Sequence, residues 1–202
     1  MLAGLALLAV AAGGMLASRP RLPSAGPAPA WVKPVAARPA QGGSRSAAAL
    51  GPAPVLPAVL PVGAQSVSIP SLRVSPSAVP VSATNGTLGV PIDQAQVGWW
   101  MPSTSELVID GHVDLEGAGP GALYEVRNLR PGAQVVVGTA NGPEHWTING
   151  VRTYTKGRLP PELFRYSGAS PRLVLITCGG PFDAATHHYA DNVVVYGSPS
   201  RG

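Results

Sequence analysis

The stretch that decides the fold is Leu173-Val174-Leu175-Ile176-Thr177-Cys178-Gly179-Gly180, near the end of a chain of 202 residues. An apolar run leads directly into small residues, a pattern that predicts a buried strand ending at Cys178. Cys178 is the only cysteine in the sequence, so it cannot form a disulfide within the chain. It is therefore either an inert buried thiol or a reactive nucleophile.

Short strands separated by turn signals account for the sequence around this stretch. Glycine and proline contribute 25 and 23 residues, a composition typical of β-rich, turn-rich domains. About eight short strands are expected, which predicts a mostly β, closed or nearly closed barrel. The lack of long amphipathic segments excludes parallel βαβ units. Seven of these strands are predicted at residues 66–69, 79–81, 107–109, 134–139, 145–154, 173–178 and 192–196.

Three local signals add detail to this prediction. Asn85-Gly86 predicts a tight turn. Asp93 is a suitable N-cap for a short helix over residues 93–97. The pair Pro160-Pro161 predicts a single helical turn that begins with proline.

The N-terminal part of the chain has a different composition from the rest. Residues 1–18 are mainly apolar, which predicts either a cleaved signal peptide or a membrane anchor, and we favour the anchor. Residues 19–63 are rich in proline, alanine and glycine, which predicts a disordered linker. Residues 64–202 form the predicted folded domain, facing the cell exterior at the membrane, or secreted if the leading segment is removed.

The charge distribution argues against a nucleic-acid partner. The formal net charge is +4, but six basic and no acidic residues precede Asp93, whereas eight basic and ten acidic residues follow from there. The folded part is therefore slightly acidic, and it lacks the basic face with interleaved aromatic residues that nucleic-acid binding needs. A basic linker next to an anionic membrane surface explains the charge better.

Four histidines could act with the thiol: His112, His145, His187 and His188. His112 is the best candidate because it follows a predicted strand and precedes a glycine-rich loop, a position typical of a barrel rim. A neighbouring histidine can raise the thiolate fraction or protonate a leaving amine. One cysteine and a His-His pair do not provide the spacing of a metal site, so neither a metal nor a cofactor is predicted. The amides after Cys178 are suited to stabilising an oxyanion.

At these residues the sequence resembles the sortase family of cysteine transpeptidases. The family's T-L-x-T-C element is similar to residues 174–178, with valine in place of the first threonine. Gly111-His112-Val113-Asp114 resembles the histidine motif of the class E and class F groups. Residues 178–183 and 188–196 are similar to class F in particular. The resemblance covers about residues 66–197 and implies the eight-stranded sortase barrel, in agreement with the strand count.

The resemblance also implies a reaction and its partners. Cys178 would attack the carbonyl between Thr and Gly of an LPXTG-like sorting signal and form a thioacyl-enzyme. His112 would act as general acid for the leaving amine and then as base for the incoming one. Thr177 and Asn192 would contact the substrate or the oxyanion. The implied partners are secreted proteins with a C-terminal sorting signal, and an amine acceptor of the cell wall or a pilin.

The chain departs from the family pattern at an essential arginine on or near the last strand. No Arg or Lys lies between Cys178 and Arg201. The neighbourhood where that arginine is expected holds Ala190, Asn192 and His187, of which Asn192 could donate an amide hydrogen bond and a protonated His187 could supply charge. Arg152 or Arg165 could replace the arginine. Two functions therefore stay open, an active transpeptidase and a catalytically impaired protein that binds sorting peptides.

A second departure is Asp110, where the family usually has a small apolar residue before the Gly-His pair. Its carboxylate either faces outward or perturbs His112. A thiol-dependent L,D-transpeptidase has the same histidine-before-cysteine order, but the glycines here lie on the wrong side of Cys178 for that class.

Overall fold

The computed structural model describes residues 63–84 and 87–200, which form twelve strands and three short 3-10 helices. The strands are β1 Ala64–Ser68, β2 Ala78–Pro80, β3 Ala83–Thr84, β4 Thr87–Leu88, β5 Val97–Ser103, β6 Glu106–Asp110, β7 Asp114–Leu115, β8 Gly119–Pro120, β9 Gln134–Thr139, β10 Gly142–Thr155, β11 Arg172–Asp183 and β12 His188–Pro199. The 3-10 helices are Pro70–Leu72, Val126–Asn128 and Pro161–Leu163. The predicted anchor, the linker before residue 63 and the Asn85-Gly86 turn lie outside the described residues. Within the described ranges, no helix has the length and apolar character needed to cross a membrane.

Eight strands make one sheet in the order β1-β9-β10-β12-β11-β6-β5-β2. Its two edge strands approach each other, because Ser66 bridges Ser77 and the Val67 amide donates to the Pro76 carbonyl at 3.0 Å. The sheet is therefore a nearly closed barrel, and the mostly β, eight-stranded prediction is confirmed.

Two central strands of the barrel run in the same direction. Strand β11 pairs with β6 in parallel, with Leu175 opposite Ile109 and Ile176 opposite Asp110. Its other neighbour, β12, is antiparallel and places Asn192 opposite Cys178. Because the paired segments of β6 and β11 run in parallel and end at Asp110 and Ile176, the residues that follow these two positions lie at the same edge of the barrel.

Side chains of β11 alternate between two apolar clusters, as the period of two in a strand requires. Leu173 and Leu175 belong to the cluster inside the barrel. Val174 and Ile176 belong to a second cluster outside it, with Val108, Leu163, Val194 and Tyr196. Cys178 follows Ile176 by two residues, so its side chain lies on the outer face.

The prediction of a short helix over residues 93–97 is wrong, because the chain forms a turn here. The Asp93 side chain accepts a hydrogen bond from the Ala95 amide at 2.9 Å, and the Gln96 amide donates to the Asp93 carbonyl at 3.1 Å. Asp93 therefore stabilises a turn through the same side-chain bond that would otherwise cap a helix. The chain becomes a strand again at Val97. The helical turn after Pro160 is present at Pro161–Leu163.

Candidate active site

Cys178 lies partly exposed between two cavities of the barrel surface. The first is a groove of about 830 Å³ on the outer face of β11. Its walls are mainly apolar, with Leu88, Val90, Trp100, Leu159, Phe164 and Ile176 among the lining residues. An apolar groove that ends at a thiol is suited to an extended peptide whose reacting carbonyl lies at the sulfur.

The second cavity is a smaller pocket of about 240 Å³ on the other side of Cys178. Gly179 and Gly180 line it together with Tyr124, Arg127 and Tyr189. The Tyr189 hydroxyl donates to the Asp114 carboxylate, and this hydrogen bond raises the pKa of Tyr189 to about 12. Tyr189 is therefore a neutral hydrogen-bonding group at physiological pH.

Arg127 is a site residue that sequence patterns did not indicate. Its guanidinium lies 4.6 Å from the centroid of the Tyr124 ring and donates to the Tyr124 carbonyl at 3.2 Å. Both residues line the small pocket with Cys178. Arg127 lies 51 positions before the thiol, in the 3-10 helix Val126–Asn128, so no local motif links the two.

His112 follows β6 at the same edge where Cys178 lies in β11. The register opposes Ile176 and Asp110, and His112 and Cys178 each come two residues later. The His112 Nε2 atom is 2.8 Å from the Pro91 carbonyl oxygen. A carbonyl only accepts hydrogen bonds, so Nε2 carries the proton in this arrangement and Nδ1 is the nitrogen that can exchange one.

Close backbone contacts hold the His112 segment in place. The Leu123 amide donates to the His112 carbonyl at 3.2 Å. A Cβ atom at Gly121 would lie 2.9 Å from the His112 Cβ and still closer to its carbonyl oxygen, so only glycine fits there.

Thr177 and Asn192 occupy different sides of the strands that carry them. The Thr177 side chain is buried, and its hydroxyl donates to the Gly111 carbonyl at 2.8 Å. Asn192 lies directly opposite Cys178 on β12 and lines the groove. The position across from the thiol therefore has an amide side chain instead of a cation.

The two arginines considered as replacements lie in different places. Arg165 lines the groove together with Cys178 and Lys156. Arg152 is on β10 opposite Val194, two residues before Tyr154, which faces Asn192. The structure therefore brings Arg165 and Arg127 to the cavities around the thiol.

Asp110 is buried at the groove floor. It is 4% exposed, lines the groove with Cys178, and shares the outer face with Ile176. Burial raises its pKa to about 7, opposed only by a hydrogen bond from its own backbone amide. The sequence left two alternatives for Asp110, an outward-facing carboxylate or one that perturbs His112. Asp110 does lie on the outer face of its strand, but its side chain is buried there.

The other histidines are exposed. His145 lies on β10 opposite Val136. His187 and His188 lie at the turn between β11 and β12, where His187 Nδ1 is 3.3 Å from the Glu116 carboxylate. In the described part of the chain, no group of three or more His, Cys, Asp or Glu residues is placed to hold a metal ion.

Comparisons with known proteins agree with this architecture. The Sortase domain family model matches residues 67–200, and the chain therefore belongs to the sortase family, whose members are cysteine transpeptidases. No curated protein matches the chain.

Solved structures of sortases share the fold at low sequence identity. Sortase C1 from Streptococcus agalactiae has a TM-score of 0.53 and 16% identity, covering 70% of this chain and 69% of that one. Sortase C-1 from Actinomyces oris has a TM-score of 0.53 and 18% identity, over 68% and 71%. A lid mutant of sortase A from Corynebacterium diphtheriae has a TM-score of 0.52 and 14% identity, over 68% and 69%.

Proposed function

We propose that this chain is an active cysteine transpeptidase that cleaves an LPXTG-like sorting signal between Thr and Gly. The observation that carries the proposal is the position of Cys178 at the junction of an apolar groove and a polar pocket. The groove would hold the peptide on the acyl side of the scissile bond. The pocket would admit the amine that leaves and, later, the amine that enters.

In the first half-reaction, the Cys178 thiolate attacks the threonine carbonyl and forms a tetrahedral oxyanion. The C–N bond then breaks, and protonated His112 gives its Nδ1 proton to the leaving glycine amine. The products are a thioester on Cys178 and a free amino-terminal glycine fragment. Release of that fragment empties the small pocket.

In the second half-reaction, an amine enters the vacated pocket and attacks the thioester. Neutral His112 removes a proton from the attacking nitrogen, and the C–S bond breaks to return the thiolate. The new amide joins the secreted protein to its acceptor. The proposed acceptor is a cell-wall precursor amine or a pilin lysine.

Donors around Cys178 stabilise the oxyanion in this proposal. The Gly179 and Gly180 amides lie directly after the thiol, and Asn192 lies opposite it. Arg127 supplies positive charge from the small pocket. Loss of one such donor typically costs about 3 kcal/mol in the transition state. Thr177 acts as a positioning residue, since its hydroxyl is already bonded to the Gly111 carbonyl.

Asn192 also favours a second candidate function. An amide cannot replace the two parallel hydrogen bonds of a guanidinium, so the chain could be a catalytically impaired protein that binds sorting peptides. The difference between the two candidates is thioester formation, not peptide binding.

The wider proposal places the enzyme at the cell exterior. Residues 1–18 would anchor it in the membrane, residues 19–63 would act as a spacer, and residues 64–202 would be the catalytic domain. The class F motif resemblance supports an assignment to a class F-like group. The clients would be secreted proteins with a C-terminal sorting signal.

Incubation of the full chain, in mild detergent, with an LPXTG peptide tests the proposal by mass spectrometry. We expect a thioacyl adduct on Cys178 and release of a fragment beginning with glycine. Cys178→Ala should lose both while keeping the wild-type melting temperature. Peptide binding without adduct or cleavage would support the impaired alternative, and cleavage by Cys178→Ala would exclude Cys178 as nucleophile.

A further inference from the structure

Asp110 is a buried carboxylate without a partner. Neither of its oxygens has a hydrogen-bond partner among the described side chains and backbone groups of other residues. Buried polar groups normally have a hydrogen-bond partner in the protein. A buried group without one has lost its hydrogen bonds to water and gained nothing in return. An unpartnered carboxylate at the wall of a cavity therefore points to a ligand that supplies the missing hydrogen bond.

The space around Asp110 is shaped to hold the carboxylate. Gly98 lies directly opposite it on β5. A Cβ atom at Gly98 would collide with the Asp110 carboxylate and would lie 2.7 Å from Val81 Cγ1. Trp100 and Ile176, which line the groove with Asp110, are apolar.

The position of Asp110 relative to the thiol selects a part of the peptide. Asp110 is level with Ile176, which precedes Cys178 by two residues, or about 7 Å along a strand. An extended peptide covers the same distance in two residues. With the scissile carbonyl at Cys178, Asp110 therefore lies near the residues just before the reacting threonine.

Two cations at the groove rim do not neutralise this carboxylate. Lys156 and Arg165 line the same groove and are exposed. Neither forms an ion pair with Asp110 within the described residues. The floor of the groove thus holds a buried hydrogen-bond acceptor that neither of these cations occupies.

We propose that Asp110 determines sequence specificity by accepting a hydrogen bond from a side chain of the sorting peptide. The donor is the side chain of residue X, which directly precedes the threonine whose carbonyl Cys178 attacks, because the residue before X is proline and has no side-chain donor. This inference rests on the proposed function, because it assigns the groove to the peptide. It makes the enzyme favour a hydroxyl or amide side chain over an apolar one of equal size.

Matched LPXTG-like peptides with threonine or valine at X test the inference, because Thr and Val have the same shape. For the wild-type full chain, we expect kcat/KM for adduct formation to favour threonine by about 10- to 150-fold. Asp110→Leu, which removes the acceptor and keeps the number of side-chain heavy atoms, should abolish that preference. Asp93→Leu, at an exposed acid outside the groove, should keep it.

A second variant, Asp110→Asn, keeps the inference testable if Asp110→Leu does not fold. Asp110→Asn retains an acceptor oxygen without charge, so its preference should fall below about tenfold without disappearing. No discrimination at X, or an unchanged preference in both Asp110 variants, would overturn the assignment.

Binding to Cys178→Ala separates this inference from the proposed reaction. Fluorescence anisotropy with labelled peptides should show the same Thr-over-Val preference without turnover. A binding preference that depends on Asp110, with no adduct on the wild-type enzyme, would support the specificity role and reject the active transpeptidase. Cleavage without any Asp110-dependent preference would support the active transpeptidase and reject the specificity role of Asp110. Neither binding nor cleavage would reject both.

Discussion

Gly180 illustrates how one residue shapes the end of β11. Its φ angle is +78°, in the left-handed region that favours glycine. A Cβ atom there would also lie 2.9 Å from the Asp191 Cβ and closer still to its carboxylate. The register of β11 and β12 shifts between Gly179 and Phe182, so Gly180 allows the strand to bulge immediately after the thiol.

Gly180→Ala should therefore be more harmful than alanine at another left-handed glycine. Gly132 has a φ of +90°, and a Cβ atom there would meet no neighbouring atom within 4 Å, so Gly132→Ala carries only the backbone strain, about 1 kcal/mol. We expect Gly180→Ala to lose more stability in urea denaturation and to slow adduct formation. Equal losses in both variants would show that the contact with Asp191 is unimportant.

Asp110 should make stability depend on pH. Its pKa is 3.8 when unperturbed and about 7 in the folded chain, so the folded state holds the proton more tightly. The contribution of protonated Asp110 to the free energy of unfolding is therefore full below pH 3.8, declines as the pH rises, and is lost above about pH 7. The difference corresponds to on the order of 4 kcal/mol.

Comparison with Asp110→Asn isolates this effect, because an amide does not titrate. The difference in free energy of unfolding between the two proteins should change between pH 4 and pH 8 in favour of Asn. Lys156, Arg165 and Cys178 face the same groove and are common to both proteins. A difference that stays constant over this range would mean that the carboxylate ionises as freely as in water.

At the scale of elements, the parallel pair β6 and β11 assembles the site. It brings the segments after residues 110 and 176 to one edge of the barrel, and the Thr177–Gly111 hydrogen bond joins them there. This hydrogen bond joins two residues that are 66 positions apart in the sequence. The bond therefore fixes the backbone immediately before His112 relative to the backbone immediately before Cys178.

Thr177→Val should lower kcat about tenfold, because it loosens the register at His112. Since Thr177 also lines the groove and valine keeps the shape of threonine, KM should stay nearly unchanged. The cost in stability should be about 1 kcal/mol. Thr139→Val is the matched control, since the Thr139 hydroxyl donates to the Gly142 carbonyl at 2.7 Å in a distant hairpin. If both variants keep full activity, the hydroxyl has no positioning role.

Strand positions could be predicted from the sequence wherever an apolar run or an alternation spans a whole strand. Residues 134–139 coincide with β9, and residues 173–178 lie within β11. The prediction at Asp93 was wrong because an aspartate side chain accepts the same kind of backbone hydrogen bond in a turn as at the N-cap of a helix. Arg127 could not be predicted because its proximity to Cys178 depends on tertiary packing across 51 residues.

At the scale of the whole molecule, a buried ion pair ties the groove wall to the barrel. The Arg172 Nε donates to the Glu106 carboxylate at 2.8 Å, and these residues are opposite each other in β11 and β6. The Arg172 guanidinium also donates to the Glu162 carbonyl and lies 3.9 Å from the centroid of the Tyr166 ring. It thus connects the sheet with the segment that carries Phe164 and Arg165.

Arg172→Met should destabilise the protein by about 3–5 kcal/mol, because Glu106 would remain as a buried unpaired charge. The double variant Glu106→Leu/Arg172→Met should recover much of that loss in urea denaturation. It should still show a raised KM, since the link to the groove wall is gone. A double variant no more stable than Arg172→Met would contradict the unpaired-charge explanation.

The parallel arrangement of β6 and β11 also has a consequence for when the site around Cys178 forms. Parallel neighbours must be joined by a long crossover, and here the chain between them includes β7 to β10. Contacts between residues so distant in sequence form slowly, after the local hairpins. A newly made chain should therefore have no formed site around Cys178 until the barrel is nearly complete, so that folding itself delays any reaction of the thiol.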